Sequence, residues 1–99
     1  MRSSKEIREV VSAGKRLGNQ AATLHYLPSE VNQFAIIVSK AVGTAVDRNR
    51  GKRRIRSILA NLDFGSTRIR GAVRVKPAAA NSSFEDLSAD IADLIRRAA

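Results

Sequence analysis

Six of the nine side chains from Arg48 to Arg56 are cationic, and the apolar residues among and after them, Ile55, Ile58, Leu59 and Leu62, recur at three- and four-residue spacing. That spacing predicts a helix from about Arg50 to Leu62 with one apolar stripe, which must be buried against a sheet or another helix. At about 100° per residue, Lys52, Arg53 and Arg56 fall on one flank of the stripe, with Arg50 and Arg54 beyond them on the outer surface. The fold therefore has to hold a row of like charges rigid without neutralising it, which calls for an anionic partner.

A basic run is ordinarily a solvated helix face of mixed sign. Here seven basic residues lie between Lys40 and Arg56 against the single acid Asp47, and no acid follows it within the run. The whole chain has 18 Lys and Arg against nine Asp and Glu, a formal charge of +9, while Phe84 to Asp93 carries four acids and no base, so one face is positive. Arginine makes bidentate charge-assisted bonds to phosphate, and the amide of Asn49 can reach a base edge, a ribose hydroxyl or a hydrated metal ion. No helix-turn-helix pair or zinc-finger spacing surrounds the run, which favours RNA over DNA.

Other chemistries drop out. With no cysteine there is neither a disulfide framework nor a thiol nucleophile, and one histidine without a carboxylate cluster cannot build a protein-held catalytic metal site. No segment nears the ~20 apolar residues that span a bilayer, and the N-terminus has no signal-peptide stretch, so a cytoplasmic protein with no membrane partner is expected. At 99 residues one domain, 1–99, is expected, with a core of Ile, Leu, Val and Ala because aromatics are only 4%.

Around the basic helix the pattern predicts mixed elements. Ser3 and Glu6 have capping-box spacing ahead of Ile7, Val10 and Val11, and Gly14 ends that helix. Ala21 to Leu27 and Phe34 to Ser39 suit strands, and Pro28, Ser29 and Asn32 between them predict an antiparallel hairpin. Gly43 to Asn49 fits either a short strand or a structured loop. After a turn at Asp63, Gly65 and Ser66, Ile69 to Lys76 alternates as a strand with a wet, basic face. There Arg70, Arg74 and Lys76 read as solvated. Ser82 and Glu85 form a second capping box before a C-terminal helix whose stripe is Phe84, Leu87, Ile91, Leu94 and Ile95.

The stretch Val38, Ser39, Lys40, Ala41, Val42, Gly43, Thr44, Ala45, Val46, Asp47, Arg48, Asn49, Arg50, Gly51, Lys52, Arg53, Arg54, Ile55, Arg56 resembles the V-S-K-x-x-G-x-A-V-x-R-N-R-x-K-R-x-x-R motif of the protein subunit of bacterial ribonuclease P. Lys76, Pro77 and Ala78 fit as well, and the likeness covers nearly the whole chain. It implies an α+β fold, a two-layer α/β sandwich in the order α-β-β-β-α-β-α with a left-handed β-α-β crossover, of the kind found in the second domain of a small-subunit ribosomal protein.

It also implies the non-catalytic protein subunit of an endoribonuclease that removes the 5′ leader of precursor tRNA. The RNA subunit, with its own Mg²⁺, would carry the chemistry. Lys40, Arg48, Asn49, Arg50, Lys52, Arg53, Arg54 and Arg56 would contact RNA, and the partners would be that catalytic RNA and the leader, with no obligate protein partner. Where the family places aromatics against a leader-binding cleft, this chain has Ile7, Val11 and His25. Ile7 and Val11 fit plain core packing as well as a cleft, and His25 fits an ordinary surface or hydrogen-bonded residue. A structural RNA-binding module, such as a ribosomal component, is the alternative reading.

Overall fold

The computed structural model describes residues 4–99; Ser3, the expected first cap, lies outside them. The elements are α1 (Ser4–Ala13), β1 (Lys15–Gly18), β2 (Ala22–Pro28), β3 (Gln33–Val38), a 3-10 turn (Lys40–Val42), α2 (Ala45–Asn61), β4 (Ile69–Val75), a second 3-10 turn (Pro77–Asn81) and α3 (Phe84–Ala98). Their order is the implied α-β-β-β-α-β-α.

The four strands form one sheet in the order β1-β2-β4-β3, antiparallel except for the parallel β3/β4 pair that α2 connects. The expected β2/β3 hairpin is therefore absent, because β4 inserts between the two strands. The turn residues that suggested a hairpin instead latch the incoming strand. Asn32 Oδ1 accepts from the Ile69 amide at 2.9 Å, its Nδ2 donates to the Thr67 carbonyl at 3.1 Å, and the Ser29 amide donates to the Arg68 carbonyl. The continuous apolar run Phe34–Val38 suits this position, since a parallel strand is covered on both faces.

Strand alternation sorts the faces. Leu24 and Tyr26 of β2 and Ile69, Val73 and Val75 of β4 share one buried face, roofed by Ile55 and Ile58 of α2 and by Leu87, Ile91, Leu94 and Ile95 of α3. This is the two-layer sandwich. Helix α1 packs on β2 and β4 from the opposite side: Val10 is fully buried there, outside the main core, and Glu9 pairs with Arg70 of β4 at 2.6 Å. The face of β4 expected to be wet is thus partly roofed. Gly14 turns α1 into β1, its amide donating to the Val10 carbonyl at 2.9 Å. A Cβ there would collide with the carbonyls of Val10 and Tyr26.

The C-terminal helix is capped one residue later than expected. Ser83, not Ser82, accepts from the Asp86 amide at 3.1 Å, and Phe84 is 48% exposed rather than part of the core. Helix α2 likewise begins at Ala45 rather than near Arg50. Of Gly43 and Thr44, read as strand or loop, Thr44 is the N-cap of α2 and Gly43 closes the 3-10 turn before it with φ 144° and ψ −154°, a region open essentially to glycine alone.

These two glycines of the basic segment behave oppositely. Gly43→Ala should cost about 1–3 kcal/mol, since a Cβ would also meet the Asp47 carboxylate. Gly51→Ala, inside α2 where a Cβ meets nothing within 4 Å, should gain about 0.5–1 kcal/mol. Urea midpoints should move in opposite directions.

Candidate nucleic-acid interface

The basic helix begins with a closed hydrogen-bond circuit. Thr44 Oγ1 accepts from the Asp47 amide at 3.2 Å, and Asp47 Oδ2 accepts from both the Thr44 amide and its hydroxyl at 3.1 Å. The one acid among the cations is thereby spent on the helix N-terminus, where the dipole favours negative charge. Arg48 turns back to the same place, its Nη1 donating to the Gly43 carbonyl at 3.0 Å.

Beyond the first turn the cations divide. Arg54, expected on the outer surface, lies half-buried against the connector ahead of α3, its Nη2 donating to the Ser82 carbonyl at 2.6 Å. Burial first, and the Arg50 charge second, lower its pKa. Opposite it, Val46, Asn49, Lys52, Arg53 and Arg56 line a shallow open groove. Val46 is 74% exposed there. Among the described residues the ion pairs are Glu9–Arg70, Asp93–Arg96 and Asp93–Arg97, so no acid neutralises the run. Lys40 is exposed on the 3-10 turn that precedes the helix.

Continuing past Arg56, the surface turns the β3 edge, where Ile7 of α1, Ala35, Arg56 and Leu59 line a second hollow. Ile7 and Val11 are only half-buried, Val10 being the true anchor of α1. His25 is 8% exposed and lies on the α1 side of the sheet, opposite Arg16 on β1. Its pKa is lowered by burial, then by Arg74 and Arg16. Tyr26 points the other way into the core. Arg16 escaped the sequence reading because β1, four residues long with mostly exposed side chains, has no apolar period.

Two other cations have structural duties. Lys76 Nζ donates to the Asn19 carbonyl at 2.6 Å, and Arg97 Nη1 to the Gly18 carbonyl at 3.2 Å, stapling the β1–β2 turn to β4 and α3. Among the described residues no group of three or more His, Asp or Glu side chains could hold a metal ion. No described helix is long and apolar enough to cross a membrane.

The family model described as Ribonuclease P matches residues 1–99. The ribonuclease P protein component of Corynebacterium diphtheriae is 33% identical over 90% of this chain and 83% of its own length. That of Syntrophomonas wolfei is 33% identical over 99% and 85%. Among solved structures, the RNase P protein of Staphylococcus aureus superposes with a TM-score of 0.88 at 18% identity, covering 99% of this chain and 93% of that one. The Thermotoga maritima protein gives 0.87 at 19%, covering 98% and 94%.

Four cations of the run, Arg50, Lys52, Arg53 and Arg56, are not held by a protein carbonyl. If each meets one phosphate, RNA affinity should fall with a log–log salt slope of about −3. Arg53→Ala should weaken RNA binding more than Arg96→Ala, whose guanidinium is paired with Asp93; gel-shift titrations in a salt series read both. His25 is the only histidine, and its lowered pKa sets a sign. The unfolded chain takes up a proton near pH 6.5 while the folded one still resists, so stability should decline as pH drops below about 6.5 and stay flat above it. His25→Phe should remove that dependence in chemical-denaturation curves between pH 5.5 and 7.5.

Proposed function

This chain belongs to the ribonuclease P protein family, and we propose on that footing that it acts as the protein component of ribonuclease P, the ribonucleoprotein that removes the 5′ leader of precursor tRNA. The observation that carries the reading is the groove of Asn49, Lys52, Arg53 and Arg56, an acid-free cationic surface on a helix clamped to the core. Such a surface suits the sugar-phosphate framework of a folded RNA. Guanidinium and ammonium groups bind phosphate, the Asn49 amide can take a ribose hydroxyl or base edge, and Val46 can lie against a sugar.

In this reading the bond chemistry belongs to the RNA subunit and the Mg²⁺ it binds. The described carboxylates are unsuited to a metal cluster, and Asp47 is engaged in the helix cap. The protein would contribute by screening the repulsion between catalytic RNA and precursor, so that fewer bulk cations are needed, which is how a basic subunit raises effective metal affinity. Arg48 and Arg54, each tied to a carbonyl, would act mainly by shaping the surface, and Arg50, Lys52, Arg53 and Arg56 by touching RNA. The protein would work in the cytoplasm, with the catalytic RNA and the leader of precursor tRNA as partners. A ribosomal RNA-binding role has no counterpart among the relatives named above.

Reconstitution tests this. Added to a bacterial ribonuclease P RNA at low Mg²⁺, the chain should restore cleavage of precursor tRNA at the leader junction, and excess Mg²⁺ should shrink the stimulation. No stimulation across several such RNAs would rule the assignment out.

A further inference from the structure

Phe84 breaks the pattern that α3 otherwise keeps. Leu87, Ile91, Leu94 and Ile95 are buried, yet Phe84, the first residue of the helix, is 48% exposed. A ring left half in water forgoes much of the stabilisation that its burial would bring. Of the chain's four aromatic rings, Tyr26 is buried and Phe34 and Phe64 stack on each other at 5.5 Å, so Phe84 alone is exposed.

The ring lines an open hollow of about 570 Å³ between α2 and α3, shared with Ile58, Leu62 and Ala92 and with the polar Ser57 and Asn61. Its two walls differ in charge. At about 100° per residue, Ser57 and Asn61 share one strip of α2 with Arg50 and Arg54. Arg53, one turn ahead of Ser57, also lines the groove of Lys52 and Arg56, so hollow and groove are continuous. Arg54 Nη2 donates to the Ser82 carbonyl at 2.6 Å, two residues ahead of Phe84, which ties the basic helix to the start of α3. On α3 the ring is followed by exposed Glu85 and Asp86, and Glu85 lies one turn before Ala89 of the hollow. A nucleotide fits such a groove one way round. Its phosphate is drawn to α2 and repelled by the acids of α3, which turns its base towards Phe84.

We propose that Phe84 is a stacking platform for one unpaired nucleobase of the RNA that docks on α2, with Arg50 and Arg53 holding the adjoining phosphates and Arg54 positioning the segment that carries the ring. That this RNA is the catalytic subunit rests on the ribonuclease P reading; the stacking site does not. Stacking adds a contact that salt barely weakens beside charge contacts that salt weakens steeply.

The chain has no tryptophan, so Phe84→Trp places a single indole at the site. Its emission should be quenched on assembly with a bacterial ribonuclease P RNA. With protein alone, it should be quenched by an RNA hairpin carrying one bulged adenosine and not by the same hairpin with an abasic bulge. Phe84→Ala and Phe84→Leu should each weaken docking of the catalytic RNA about tenfold at an unchanged salt slope, while Phe84→Tyr should bind as the unaltered chain does. Leucine keeps an apolar side chain without a ring face, so the equal loss separates stacking from plain burial. An indole that neither RNA quenches, or full RNA affinity in Phe84→Leu, would overturn the proposal, as would a loss confined to self-association of the free protein. Quenching by the bulged hairpin without stimulation of any ribonuclease P RNA would instead strike only the ribonuclease P reading.

Discussion

The apolar seam beneath α2 is what allows the cations above it to exist. Ile55 is completely buried and Ile58 nearly so, packed among Leu87, Ile91 and Leu94 of α3 and the Leu24–Val73 floor of the sheet. Each such side chain contributes about 1.5–3 kcal/mol on burial. The like-charge neighbours four residues apart, Arg48 with Lys52, Arg50 with Arg54 and Lys52 with Arg56, cost only about 0.2–0.5 kcal/mol each. Burial wins by several-fold, so the helix can present unneutralised charge in the absence of RNA. The Thr44–Asp47 circuit completes the arrangement by placing the segment's only acid at the one spot where it stabilises the helix without pairing an arginine.

What was legible in the sequence was whatever is encoded locally. The Ile55, Ile58 and Leu59 spacing gave the helix and its buried side, and the Leu87, Ile91, Leu94 and Ile95 stripe gave α3. Strand pairing was not legible from the residues, because Ser29 and Asn32 have the chemistry of a hairpin turn, and only the chain returning at Thr67–Ile69 shows that the Asn32 side chain and the Ser29 amide hold the incoming β4 instead. The motif likeness supplied the element order that residue patterns alone left open. The α2 boundary was missed because β-branched Thr44 and Val46 beside Gly43 read as strand or loop, when Thr44 is the cap and Gly43 the positive-φ residue before it.

At the interface, helical geometry correctly set Lys52, Arg53 and Arg56 on one flank but could not show that Arg54 has a carbonyl within reach, since Ser82 is brought there by tertiary packing. Arg16 and Arg74 were harder still. They become neighbours of His25 only through a register among β1, β2 and β4 that no local pattern states. The α2 groove is built on one rigid helix and suits a folded RNA.

The central claim is that the free cations of α2 are the docking surface for the catalytic RNA. Lysine- and arginine-selective chemical labelling, read by mass spectrometry on the free protein and on the assembled ribonucleoprotein, addresses it side chain by side chain. RNA should shield Lys52, Arg53 and Arg56 strongly while Arg96, on the far end of α3, stays as reactive as in the free chain. Equal labelling of Lys52, Arg53 and Arg56 with and without RNA would contradict the account.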